Sequence, residues 1–176
     1  MPDRSSTTSL RRLTALQAAV LCAALIGPAG RAADAQPAAD SIAAGRHLVL
    51  TGHCNNCHTA RYAERAGAIP EDQTLMGNPV GWRSRAGTVY ASNLRLVMQA
   101  LSEDDWLRVA RQAQWRAPMP WWSIREYDDD ELRAIYRYVR SLSPLGTPAP
   151  AYAPAGQAPA GPVNLLPDCG GADACR

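Results

Sequence analysis

The residues His53-Cys54-Asn55-Asn56-Cys57-His58-Thr59-Ala60, HCNNCHTA in one-letter code, set two thiols and an imidazole within the five positions Cys54 to His58. Three chemistries use such a cluster: half of a zinc site, a redox-active dithiol, or the attachment point of a haem. They lead to unrelated folds, so the rest of the chain decides.

Upstream, residues 1–35 have the pattern of a secretory signal. Arg4, Arg11 and Arg12 form a positive start, Leu13 to Ile26 is an apolar run, and Ala33-Asp34-Ala35 supplies the small-x-small pattern before Gln36. The run is shorter than the roughly 18 apolar residues of a spanning helix. Cys22 lies inside it, behind Leu21 rather than a small residue, and leaves with the signal. The expected compartment is the periplasm, an oxidising one. The 176-residue chain has a formal charge of +2, but removing Arg4, Arg11, Arg12, Arg31, Asp3 and Asp34 leaves it neutral, so no nucleic-acid partner is implied. All basic residues except histidine are arginine and phenylalanine is absent, a compositional bias without functional content.

Downstream of a loose lead-in at 36–40, Ser41 to Val49 has helical spacing, with Ile42, Gly45, Leu48 and Val49 on one face. Residues 59–93 lack a period and are expected to form a long ordered loop, which needs something inside to hold it. Ser102 with Asp105, and Asp128 with Glu131, are capping-box pairs that open two more helices. The second of these ends at about Leu142, before Pro144. Residues 144–162, PLGTPAPAYAPAGQAPAGP, are expected to be an extended tail that buries too little to order itself. The expected domains are therefore a signal at 1–35, a helical domain at 36–143, and a Pro/Ala/Gly-rich tail at 144–176. In an oxidising compartment Cys169 and Cys175 of that tail would pair with each other.

Zinc would need a second ligand pair from Cys169 and Cys175 across the tail, or from His47 and His53, and neither spacing suits. A thioredoxin-like dithiol expects a strand before the CxxC and a βαβ setting, whereas a helix precedes it here. Haem attachment uses every residue. Cys54 and Cys57 add to the two vinyl groups as thioethers, and His58 turns inward to the iron. A haem would also supply the interior that the small core lacks.

The segment from Gly45 through Leu142 resembles the class I c-type cytochromes. It is most similar to the cytochrome subunits of bacterial membrane-associated alcohol and gluconate-type dehydrogenases. The pieces that carry the resemblance are GRHLV ahead of CNNCHT, then GTVYASN (Gly87 to Asn93), LSEDDW, and APMPWWSIREYDDDELRAIYRYVRSL. It implies an all-α fold, three to four helices and long loops around one covalent haem c. It also implies that Gly45 lets the first helix approach the last closely, with Tyr138 packed against it.

A His-bound iron needs a ligand on its other face. Met119, stiffened by Pro118 and Pro120, stands where the family places its distal methionine. Met76 is the second candidate, and Met98 is expected in the core. Arg83, Arg85 and Arg95 are candidates to pair with the haem propionates, although a plain exposed arginine is an equal reading. Tyr90 and Asn93 match the family's GTxYxxN and would bond at the propionate edge or the methionine side. Trp82, Trp121 and Trp122 are expected to shield the haem or to serve as core or surface residues. Pro70 or Pro79 would orient His58 through a carbonyl.

The reading is a single-haem electron carrier, not an enzyme. Its partners would be redox proteins: a dehydrogenase as donor and an oxidase or another cytochrome as acceptor, with peripheral membrane association through a partner. It would work as a free carrier or as a dehydrogenase subunit. The alternative from another class is a haem enzyme or gas-binding sensor with a labile distal methionine.

Overall fold

Two amphipathic helices set the frame of this computed structural model, which describes residues 32–167. Residues 1–31 of the expected signal at 1–35, and the expected Cys169–Cys175 pairing, lie outside the described residues. From Ala39 onward the described chain forms one compact unit. Ten elements matter here. They are α1 (Ala32–Thr51), α2 (Cys54–His58), β1 (Gly81–Ser84), β2 (Gly87–Val89), α3 (Leu94–Ala100), α4 (Glu103–Gln112), α5 (Trp121–Ile124), α6 (Asp129–Ser141), β3 (Ala153–Pro154) and β4 (Val163–Leu165).

Both capping boxes form. The Ser102 hydroxyl accepts from the Asp105 N–H at 3.1 Å while the Asp105 carboxylate accepts from the Ser102 N–H at 3.4 Å. At α6, Asp128 and Glu131 exchange the equivalent bonds at 2.8 Å each. These satisfy backbone donors that a helix start leaves open. Each helix then buries one face: Trp106, Leu107 and Ala110 on α4, and Leu132, Ile135 and Val139 among others on α6. The two pack together, and the Trp106 Nε1–H donates to the Leu132 carbonyl at 2.8 Å, giving the buried indole its polar partner.

Helix α1 crosses α6 at Gly45. A Cβ there would lie 1.9 Å from the Ala134 carbonyl oxygen and 2.8 Å from Tyr138 Cβ, so the close approach requires glycine. Val49 is buried on the same face, with Ile42 and Leu48 packed against the core. The expected lead-in at 36–40 is helical instead, because α1 starts at Ala32. The alanine-rich run there favours helix even with Pro37 inside it.

The expectation of an all-α fold needs correction. A four-stranded sheet in the order β3-β2-β1-β4 joins the 59–93 loop to the expected tail. β1 and β2 form an antiparallel hairpin in which Trp82 faces Val89. β3 pairs antiparallel with β2 through Thr88 and Ala153, and β4 runs parallel to β1. Residues 144–167 are thus a strap laid back on the domain. Their Pro/Ala/Gly composition keeps the backbone extended, and part of it bonds to the hairpin through β3, β4, the Pro162 carbonyl and the Leu166 N–H. The sequence signal failed because these strands are two to four residues long and their partners are distant.

Candidate functional site

Helix α1 ends at Thr51, and His53, with φ 58°, turns the chain through the left-handed region into α2. One helical turn then carries Cys54, Cys57 and His58, so both thiols and the imidazole face the same space. Below the turn, buried Asn55 and Thr59 lock it. The Thr59 hydroxyl donates to Asn55 Oδ1 at 2.7 Å and accepts the Leu75 N–H at 2.7 Å. The Gly77 N–H donates to the His58 carbonyl at 2.8 Å. These bonds hold the 71–77 segment against the attachment turn.

Cys54, Cys57 and His58 line one wall of a cleft of about 570 Å³. That size suits a large flat cofactor, since sites for small molecules and cofactors run from roughly 300 to 1,000 Å³. Other walls come from Trp82 and Tyr90 on the hairpin, and from Trp106 and Ile135 on α4 and α6. Trp115, Arg116 and Met119, between α4 and α5, and Pro150 and Tyr152 of the strap also line it.

His58 Nδ1 lies 2.8 Å from the Ser92 carbonyl oxygen. A carbonyl only accepts, so Nδ1 bears the proton and Nε2 keeps its lone pair for a metal. The orienting carbonyl is therefore Ser92, not Pro70 or Pro79. Burial holds the imidazole pKa below its ordinary value, partly offset by the Ser92 carbonyl, and the neutral ring is the form that ligates. Burial likewise pushes the Cys54 thiol up to about 11 and raises that of Cys57. Reactive redox dithiols lower a thiol pKa instead, so the dithiol reading finds no support. Among the described residues no three His, Cys, Asp or Glu side chains converge into a metal cluster. Neutral thiols at the rim of a mostly apolar cleft, beside an imidazole with a free Nε2, fit thioether attachment of a porphyrin.

The other expected site residues divide. Met119 lines the cleft; so does Met98, which is also fully buried in the core on α3. Met76 is not among the lining residues and faces the strap near Gly146. Tyr90 lines the cleft and its hydroxyl accepts the Ala160 N–H at 2.8 Å. Arg83, Asn93 and Arg95 are not among the lining residues. Arg83 Nη1 reaches the Gln157 carbonyl at 3.4 Å. Asn93 caps α3 and donates from Nδ2 to the Leu145 carbonyl at 2.8 Å.

Arg95 is 2% exposed and donates to three carbonyls: Thr74 at 2.8 Å, Glu71 at 2.7 Å and Ser143 at 3.1 Å. Its charge is spent tying the 71–74 turn to the end of α6, because charge-assisted bonds to backbone oxygens make burial of a guanidinium tolerable. Of the tryptophans, Trp82 lines the cleft, whereas Trp121 packs edge-on to half-exposed Trp122 and under the Arg125 guanidinium. Residues that the sequence reading missed are Ser92, Trp115, Arg116 and Tyr152. Ser92 acts through its carbonyl, which no residue type advertises, and Tyr152 lies in the segment taken for a tail.

A family model described as cytochrome c matches residues 42–143, more than half of the chain. Comparison with curated proteins and with solved structures gave no match.

Proposed function

The chain belongs to the cytochrome c family, whose members carry covalently attached haem c, and from that premise we propose that it is an exported one-electron carrier working between periplasmic redox proteins. Haem c supplies a one-electron Fe(III)/Fe(II) couple. Cys54 and Cys57 would hold it as thioethers, each adding sulfur and hydrogen across one vinyl group, an addition that needs no external oxidant. His58 ligates through Nε2, while the Ser92 carbonyl on Nδ1 holds the ring plane and raises its basicity.

Met119 is the distal ligand in this reading. A thioether favours the ferrous state, so the potential lies above that of a bis-histidine site. With His58 and Met119 both bound to it, the iron would offer no open coordination site to oxygen or peroxide. The largely apolar lining disfavours the extra positive charge of the ferric state and shifts the potential in the same direction. The observation that carries the reading is that Cys54, Cys57, His58 and Met119 all line one cleft.

The resemblance to dehydrogenase cytochrome subunits supports a dehydrogenase as electron donor. Co-purification with a flavin or quinone dehydrogenase would establish a subunit; a monomer reduced equally by several donors would establish a free carrier. The attachment is tested by the pyridine haemochrome of protein exported with its maturation machinery. We expect one c-type haem per chain that resists acid–acetone extraction, and loss of that resistance when Cys54 and Cys57 are both replaced by serine. Extractable pigment from the unaltered protein would contradict the attachment.

A further inference from the structure

We propose that Tyr152 of the strap is a positioning residue for the distal side of the cleft, acting on the Met119 segment through the Arg116 guanidinium. The inference rests on Met119 as distal ligand. Arg116 Cζ stands 4.0 Å from the centroid of the Tyr152 ring, within cation–π range. The Arg116 carbonyl accepts the Met119 N–H at 3.2 Å. One residue therefore grips the strap by its side chain and Met119 by its main chain. All three line the cleft. Pro118 and Pro120 lack an N–H to donate, and on its other side the segment is tied to α5 by the Trp121 N–H, which donates to the Met119 carbonyl at 3.0 Å.

The post itself is fixed. The Tyr152 hydroxyl donates to the Ala86 carbonyl, and the next residue, Ala153, pairs with Thr88. Behind it, Asn93 holds the Leu145 carbonyl at 2.8 Å and the Thr147 carbonyl at 3.3 Å. Ahead of it, the Gly81 N–H reaches the Pro162 carbonyl at 2.9 Å and the Leu166 N–H reaches the Arg83 carbonyl at 2.9 Å. The β1–β2 hairpin thus touches both sides of the cleft. It leads directly into Ser92, which orients His58, and through Tyr152 and Arg116 it restrains the segment that presents Met119. The strap stiffens the distal ligand and disfavours its replacement by outside ligands.

The test is an imidazole titration of the ferric holoprotein, with thermal unfolding followed in parallel. Tyr152→Ala is expected to bind imidazole about fivefold more tightly than the unaltered protein, a factor in keeping with loss of one partly exposed cation–π contact. Tyr152→Phe, which keeps the ring, stays near the unaltered value. Arg116→Ala matches Tyr152→Ala, and the double variant gains nothing further, as a shared contact requires. Unaltered imidazole affinity in both alanine variants, with the methionine–iron band abolished in Met119→Ala, overturns the role of the strap alone. Retention of that band in Met119→Ala overturns the ligand assignment and the strap's role together. If Tyr152→Ala unfolds at the assay temperature, Arg116→Ala decides by the same criterion.

Discussion

Helices α4 and α6 carry their own boundaries, whereas the strands of the sheet borrow theirs. Ser102 and Asp105, or Asp128 and Glu131, sit three residues apart and settle a helix start locally. β1 and β2 have no such local marker, and their outer partners, β3 and β4, lie more than 60 residues further along the chain. The helical side stands on buried apolar faces, and the sheet side mainly on backbone bonds between short strands. Stability is therefore divided: the helices carry the core, and the strap side trims the cleft. The helical side should respond globally to a change and the sheet side locally.

The largest effect is expected at the α1–α6 crossing. Gly45→Ala drives a Cβ to 1.9 Å from the Ala134 oxygen, so the helix backbones must separate. Overpacking of this kind costs about 3 kcal/mol, and for a domain of this size Tm falls by about 12 °C or more. Denaturant unfolding monitored by circular dichroism checks it; a loss below about 1 kcal/mol would show that the crossing is not tight.

A smaller, local effect is expected at Gly87, which has φ +131° and whose Cβ would lie 2.4 Å from the Ala153 oxygen. Gly87→Ala costs about 1–3 kcal/mol of backbone strain, relieved by releasing β3 from β2. Limited proteolysis within 144–167 should quicken about tenfold, following the open population. The thermal midpoint of the helical side should hardly move. A large fall in that midpoint would break the division between the two sides.

The smallest effect concerns Glu71, which accepts from Arg46 at 2.7 Å and from the Tyr138 hydroxyl at 2.9 Å. The Arg46 bond, then the Tyr138 bond, hold its carboxyl below the usual carboxylate range. A depressed carboxylate pKa stabilises the fold above its unfolded value, near 4.5, and that contribution is lost as pH falls through the folded value. Because both partners are half-exposed, Glu71→Gln costs about 0.5 kcal/mol at neutral pH. The difference from the unaltered protein should shrink as urea unfolding is repeated below pH 4.5. A gap independent of pH would assign the loss to packing instead.

Legibility followed the same divide. The Cys54-x-x-Cys57-His58 turn and both capping boxes announce themselves through residue type and spacing, because each acts by a local or chemically unique means, whereas the glycine at the helix crossing came from the family resemblance. Ser92 does not announce itself, since its contribution is a carbonyl that any residue would supply. Arg95 and Asn93 act on backbone oxygens, partners that no residue type advertises. In the fold their donors go to the Thr74, Glu71, Ser143 and Leu145 carbonyls. Tyr152 was hidden in a Pro/Ala/Gly run whose order comes from the hairpin beneath it.

The proposed function requires that the cleft lined by His58 and Met119 hold a single covalent haem with both residues as its ligands. Ferric absorption spectra of the unaltered holoprotein and of Met119→Ala test it most directly. We expect a methionine–iron charge-transfer band in the former and none in the latter, with one haem c per chain in both. A band that survives in Met119→Ala, or a matured chain that folds without pigment, would contradict it.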